Sequence, residues 1–229
     1  MNKRYDVLVI GAGHNGLVTA AYLAKAGLRA CVVERRQLLG GAAATEAVFP
    51  GFKVNTGAVD AGSFLPRVVT DLALEQHGLR FIQGPAVVFA PQPDGSALTL
   101  WRDRERTRRE LARRSPSDAE RYPHYVTQVV RFASLLGSML TLVPPALPEV
   151  HPGELLPWLR PALQLKRLGG QDMMEFLRLL PMPVSDFLDG WFQDPALKAA
   201  LGAAGVTGST QGPLASGTTF MLLYQAVGA

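Results

Sequence analysis

The first fifty-five residues alternate between short apolar runs and one long helical stretch. Asp6 to Ile10 (DVLVI) reads as a short apolar strand. An Ala- and Leu-rich stretch with helical periodicity extends to about Ala26, and Gly27 stops it. Ala30 to Val33 is a second buried strand ending at Glu34. Val48 to Asn55 reads as a further strand. Pro66 to His77 reads as a helix whose apolar face carries Val68, Val69, Leu72 and Leu74, with Gly78 as its cap. Ala86 to Ala90 and Ala97 to Trp101 flank Pro91-Gln92-Pro93-Asp94-Gly95, and the Asp-Gly pair predicts a hairpin.

Beyond the hairpin the pattern turns helical. Arg102 to Arg114 interleaves arginines with Asp103, Glu105 and Glu110, the signature of a solvated amphipathic helix. Mixed signs and the lack of alternating stacking aromatics argue against a nucleic-acid surface. Ser115-Pro116-Ser117-Asp118 caps the next helix, expected to run to the Pro144-Pro145 break. Within it, Phe132 to Val143 is uncharged but shorter than the roughly 18 residues of a membrane span. It is a core helix or an interfacial segment. Pro144 to Pro161 is proline-rich and apolar, suiting either the wall of a lipophilic pocket or a surface connector. Short helices are expected over Gln171–Leu180 and Ser185–Phe192, and another from Asp194-Pro195 to near Ala200. Gly202, Gly205, Gly208 and Gly212 follow a helix with no strand leading in, so they read as a loop. An apolar helix, Thr218 to Ala226, comes last.

Composition changes this picture little. Of the 229 residues 48% are hydrophobic and 18% charged, with a net charge of +4, which fits a globular chain and demands no polyanionic partner. The single cysteine, Cys31, lies inside the second strand as a small apolar residue, and no C-x-x-C is present. The basic start Met1-Asn2-Lys3-Arg4 is not a secretory leader, because Asp6 interrupts the apolar run that follows. A cytoplasmic location is expected, with peripheral membrane contact left open. His124 and His151 lack acidic or cysteine partners at ligand spacing, so no metal site is expected.

The chemistry is concentrated in the first turn. Gly11-Ala12-Gly13-His14-Asn15-Gly16 is a G-x-G-x-x-G between strand and helix, with Glu34 eighteen residues beyond its last glycine, near the spacing of about 20 in dinucleotide sites. Gly11 allows the tight turn, Gly13 the approach of a pyrophosphate, and Gly16 close helix–strand packing. The N–H groups opening the helix face the phosphates. Glu34 suits both ribose hydroxyls of an adenosine and repels a 2′-phosphate, which argues against NADP although Arg35 and Arg36 follow. Gly40-Gly41, just past the acid, would allow a second close backbone approach to the cofactor and favours an extended FAD over NAD.

GAGHNGLV, then E-R-R-x-x-x-G-G-A-A-x-T-E and F-P-G-F-K-V-N-T-G, resemble the amino-terminal half of FAD-dependent oxidoreductases of the phytoene desaturase-like group, nearest the phytoene dehydrogenase-related proteins. TLWRD, SPSDAERYP and the closing G-x-x-x-S-x-x-G-P-x-x-S-G-T-T extend the resemblance along nearly the whole chain. It implies an α/β fold: a Rossmann-like FAD-binding domain with an inserted, partly helical substrate domain, the latter incomplete. The expected boundaries are residues 1–85 and 86–229. The resemblance places Gly11, Gly13 and Gly16 at the pyrophosphate, Glu34 at the ribose, Gly40, Gly41 and Ala42 along the cofactor, and the Asn55-Thr56-Gly57 strand end near the flavin. Relatives often carry Asp where this chain has Asn55. The candidate cofactor-binding set is Gly11, Ala12, Gly13, His14, Asn15, Gly16, Glu34, Arg35, Gly40, Gly41, Ala42 and Gly57.

No catalytic residue is identified, since no Ser-His-Asp set or paired carboxylates occur. The resembled enzymes are roughly twice this length, so the chain is expected to be a fragment, inactive alone. The leading expectation is an FAD-dependent, desaturase-like oxidoreductase removing hydride from an apolar small molecule of isoprenoid or lipid type. An FAD-dependent cis–trans isomerase and a non-enzymatic interaction subunit are the alternatives. Homo-oligomerisation is left open.

Overall fold

A computed structural model describes residues 4–58, 60–146 and 148–228. Met1 to Lys3 of the basic start, and Ala229, lie outside the described residues. The chain divides into two compact units, Met1–Phe81 and Ile82–Ala229.

In the first unit β1 (Val7–Ile10) and β2 (Ala30–Val33) pair in parallel, from Val7 opposite Ala30 to Ile10 opposite Val33. The crossover is α1 (His14–Lys25), followed by Gly27 at φ +88°. A parallel pair needs such a crossover, which is why strand, helix and strand arrive in this order. The strand starts are clamped together by Asp6, which accepts the Arg29 backbone N–H at 2.9 Å and both Nε and Nη2 of its guanidinium at 3.0 and 2.9 Å. The side-chain and backbone hydrogen bonds from Arg29 lower the Asp6 pKa from 3.8 to about 2. A depressed carboxylate stabilises the fold above its unfolded pKa, and that contribution disappears as pH falls through its folded pKa. Asp6→Asn is therefore expected to lower the thermal midpoint at neutral pH, with the difference from wild type closing between pH 3.8 and about 2. Thermal melts followed by circular dichroism across that range check this.

The single strand expected over Val48–Asn55 is instead a hairpin, β3 (Thr45–Phe49) and β4 (Phe52–Asn55), paired antiparallel. Pro50-Gly51 makes the turn, with Gly51 at φ +81°, the left-handed value that a turn with proline then glycine at its centre requires. The expected helix Pro66–His77 is also broken. α2 covers Pro66–Asp71, Ala73 takes φ +50°, and a 3-10 turn spans Leu74–His77 before Gly78 at φ +93°.

The second unit opens with the hairpin β5 (Ala86–Pro91) and β6 (Ala97–Trp101). Asp94 shapes its turn by accepting from the Ser96 N–H and hydroxyl, with Gly95 at φ +84°. On β6, Leu98 and Leu100 point into the core, as the period of a strand dictates. α3 (Arg104–Ala112) is capped by Asp103. The Arg106 guanidinium lies over the Trp101 ring, 3.2 Å from its centroid, and the indole N–H donates to Glu110. α4 (Pro116–Met139) begins at the Ser115 cap but ends before the Pro144-Pro145 break.

The proline-rich stretch carries more helix than expected: α5 (Pro152–Leu155), a 3-10 turn at Leu156–Trp158, and α6 (Leu159–Arg167). α7 (Gly170–Leu179) and α8 (Val184–Asp189) lie close to their expected bounds. α9 (Pro195–Val206) runs past Ala200 through Gly202 and Gly205, which therefore do not belong to a loop. A Cβ on Gly205 would sit 2.8 Å from the Thr218 carbonyl oxygen and 3.0 Å from the Val184 side chain. Gly205 thereby lets α9 pack against α8 and α10 (Thr218–Gln225). A 3-10 turn, Ala226–Gly228, follows. The core of this unit is built from Leu98, Leu111, Tyr125, Phe132, Phe176, Leu179, Leu188, Leu197 and Leu223. Burial raises the Tyr125 hydroxyl pKa well above its ordinary value, and the ring meets Phe192 edge-on at 5.1 Å. Among the described residues no helix is long and apolar enough to cross a membrane.

Candidate dinucleotide-binding site

The turn between β1 and α1 places the glycine motif at the end of the parallel strands. Gly11 has φ +98°, and its N–H donates to the Val33 carbonyl at 2.8 Å, tying the turn to β2. Gly16 is the third residue of α1, where a Cβ would stand 2.1 Å from the Gly11 carbonyl oxygen. Only glycine lets the helix start this close to the turn that precedes it. Gly13 is the N-cap residue of α1 and supplies no side-chain cap. The first N–H groups of a helix have no intrahelical acceptor. With no capping side chain they are available to an anion, and the helix dipole reinforces that preference. His14 and Asn15 lie exposed in this first turn, and Ala12 is buried behind it.

Glu34 stands at the end of β2. Its Oε2 accepts the Ala12 N–H at 2.8 Å and its Oε1 the Arg36 N–H at 2.9 Å. The Arg36 and Ala12 backbone bonds hold its pKa below the ordinary glutamate value. Each oxygen keeps a second lone pair, so the ionised carboxylate can still accept from vicinal hydroxyls. Arg35 is exposed beside it.

Gly40 and Gly41 have φ +111° and +58° and open a 3-10 turn over Gly41–Ala43. Their close approach is to the first loop itself. The Gly40 N–H donates to the Ala12 carbonyl at 2.8 Å, Gly40 bridges to Gly13, and a Cβ on Gly41 would lie 2.9 Å from the Gly13 Cα. Gly57 stacks on the same turn, since a Cβ there would meet the Ala42 carbonyl oxygen at 2.7 Å. The glycines at 13, 41 and 57 thus bring three backbone segments into contact.

The structure gathers the whole candidate set, Gly11 to Gly16, Glu34, Arg35, Gly40 to Ala42 and Gly57, within one unit. Three neighbouring residues, Arg36, Glu46 and Thr56, are absent from the motif-based set. Glu46 accepts Arg36 Nη2 at 2.8 Å and the Thr56 hydroxyl at 3.0 Å. Only the β3–β4 register, which sets Glu46 opposite Val54 and Thr45 opposite Asn55, reveals that neighbourhood. The site fits a dinucleotide: an uncapped helix start suited to a pyrophosphate and an ionised acid suited to a ribose.

Residues 9–59 match the NAD(P)-binding Rossmann-like domain family. Rat pyridine nucleotide-disulfide oxidoreductase domain-containing protein 2 is 33% identical over 242 residues, covering 100% of this chain and 42% of that protein. Hydroxyneurosporene desaturase of Rhodobacter capsulatus is 32% identical over 184 residues, covering 73% of this chain and 36% of the relative. Wild-type putrescine oxidase bound to putrescine superposes with a TM-score of 0.55 at 18% identity, over 95% of this chain and 40% of that structure, a likeness of fold. This chain therefore spans less than half the length of the proteins it matches. It is a homologue of pyridine nucleotide-disulfide oxidoreductase domain-containing protein 2 and carries an NAD(P)-binding Rossmann-like domain.

Proposed function

We propose that this chain is the FAD-binding portion of a desaturase-like oxidoreductase acting on an apolar, isoprenoid- or lipid-like substrate. The observation that carries the FAD reading is the Gly40–Ala43 turn packed on the Gly11–Gly16 loop. That second glycine-built backbone layer is what an extended dinucleotide needs beyond the ribose acid. FAD, when bound, supplies the hydride-accepting chemistry. The chain's own residues hold and orient it. First-turn amides of α1 would receive the pyrophosphate and Glu34 would accept from the adenosine ribose, while Gly41 and Gly57 let the second backbone layer pack against the first loop that holds them.

The desaturase character is supported by hydroxyneurosporene desaturase, whose name gives both reaction and substrate. The test is retention of FAD by the purified chain, followed by gel filtration and flavin absorption, with NAD and NADP as competitors. Retained FAD that neither nicotinamide dinucleotide displaces is the expected result. Displacement by NAD, or a colourless protein, would overturn the FAD reading. Where turnover of an isoprenoid is seen, loss of two hydrogens supports desaturation, and an unchanged product mass identifies the isomerase instead.

A further inference from the structure

Arg36 has two separate engagements. Its backbone N–H supports Glu34, whereas its guanidinium is turned to the hairpin, donating to Glu46 at 2.8 Å. The Thr56 hydroxyl donates to the same Glu46 oxygen at 3.0 Å. Glu46 lies on β3 and Thr56 directly follows β4, so the strand register holds acceptor and hydroxyl side by side. An arginine close behind the ribose acid is the usual receptor for a 2′-phosphate in dinucleotide folds. The pair is partly exposed and uses only Nη2, so the guanidinium keeps free donors, but the Glu46 carboxylate offsets its charge and turns it towards the hairpin, away from a nucleotide 2′ position.

We propose that Glu46, oriented by Thr56, is a specificity-determining residue of the adenosine end. By holding the Arg36 guanidinium, it withholds the positive charge that would otherwise welcome a 2′-phosphorylated nucleotide. Discrimination against that ligand class therefore rests on two carboxylates. Glu34 repels the phosphate directly, and Glu46 acts through Arg36 without touching nucleotide. The inference rests on the dinucleotide reading above and extends it to a residue outside the glycine motif.

The test is calorimetric titration of the full chain with ADP and with 2′-phospho-ADP. The readout is the ratio of the two affinities, which a general loss of structure would not shift selectively. Wild type is expected to prefer ADP. Glu34→Ser relaxes that preference. Adding Glu46→Gln is expected to move the ratio about tenfold further towards 2′-phospho-ADP, as a freed guanidinium contacts the phosphate. Raising the salt concentration shrinks this gain, and Arg36→Ala in the double variant removes it. Equal ratios for Glu34→Ser and the double variant, or a gain that survives Arg36→Ala, overturn the inference alone. Failure of wild type to bind ADP overturns the dinucleotide reading and the inference with it.

Discussion

Gly16→Ala is expected to weaken ADP and FAD binding by about 100-fold. The added Cβ would lie 2.1 Å from the Gly11 carbonyl oxygen and 3.2 Å from its carbonyl carbon. Both are backbone atoms of a turn anchored to β2 through the Gly11 N–H, so no side chain can swing aside. Either α1 backs away from the turn or the turn shifts, and the first-turn amides leave the phosphate position. Hydrogen bonds to charged acceptors contribute about 1.5–3 kcal/mol each. Misplacing one or two of them costs roughly 3 kcal/mol, and each 1.4 kcal/mol is about tenfold in affinity. Gly11→Ala is the informative contrast. Its Cβ meets nothing within 4 Å, so only the φ of +98° opposes it, at about 1–2 kcal/mol. Calorimetry on both variants should rank Gly16→Ala well below Gly11→Ala. Equal or reversed losses would show that helix packing at residue 16 does not position the amides.

The same contrast shows what a sequence can disclose. The β1–α1–β2 unit was legible because its determinants are local: a strand-length apolar run, glycines at fixed spacing, and an acid at the next strand end. The reason for Gly41 was not, because its neighbour is the Gly13 Cα, twenty-eight positions earlier in the chain. Glu46 and Thr56 stayed hidden for a related reason. Their partnership exists only once Phe49-Pro50-Gly51-Phe52 folds back as a turn and sets β3 against β4. Elsewhere tertiary packing overrode local cues. Pro161 falls in the first turn of α6, where a missing N–H is tolerated, so a proline-rich segment could still be helical. Gly202 and Gly205 resemble loop glycines, yet both sit buried within α9, and at Gly205 the Thr218 carbonyl and Val184 leave no room for a side chain.

Asp118→Ala is expected to destabilise the second unit by about 2–5 kcal/mol. Asp118 lies in the first turn of α4 with its side chain fully buried. Both carboxylate oxygens accept the Gln193 N–H, at 3.0 and 3.1 Å, and Oδ2 also accepts the Asp194 N–H at 2.7 Å. Asp194 in turn caps α9 by accepting from the Leu197 N–H at 2.8 Å. One carboxylate therefore fixes the start of α9 against the start of α4, across a sequence separation of about seventy-five residues. Alanine leaves two backbone donors without this acceptor, at about 1–3 kcal/mol for each that stays buried. Asp118→Asn keeps the shape and one acceptor oxygen, so its loss should be smaller. Urea denaturation followed by tryptophan fluorescence, which reports on the second unit because Trp101, Trp158 and Trp191 all lie there, should show a lowered midpoint with an unchanged slope, as expected when stability alone changes. Arg114, which donates to the same Asp194 at 3.2 Å, provides the control. That ion pair is partly exposed, and exposed pairs contribute about 0–1 kcal/mol. If Arg114→Ala cost as much as Asp118→Ala, charge at the α9 cap would govern stability, and the buried carboxylate's bonds to the backbone would not.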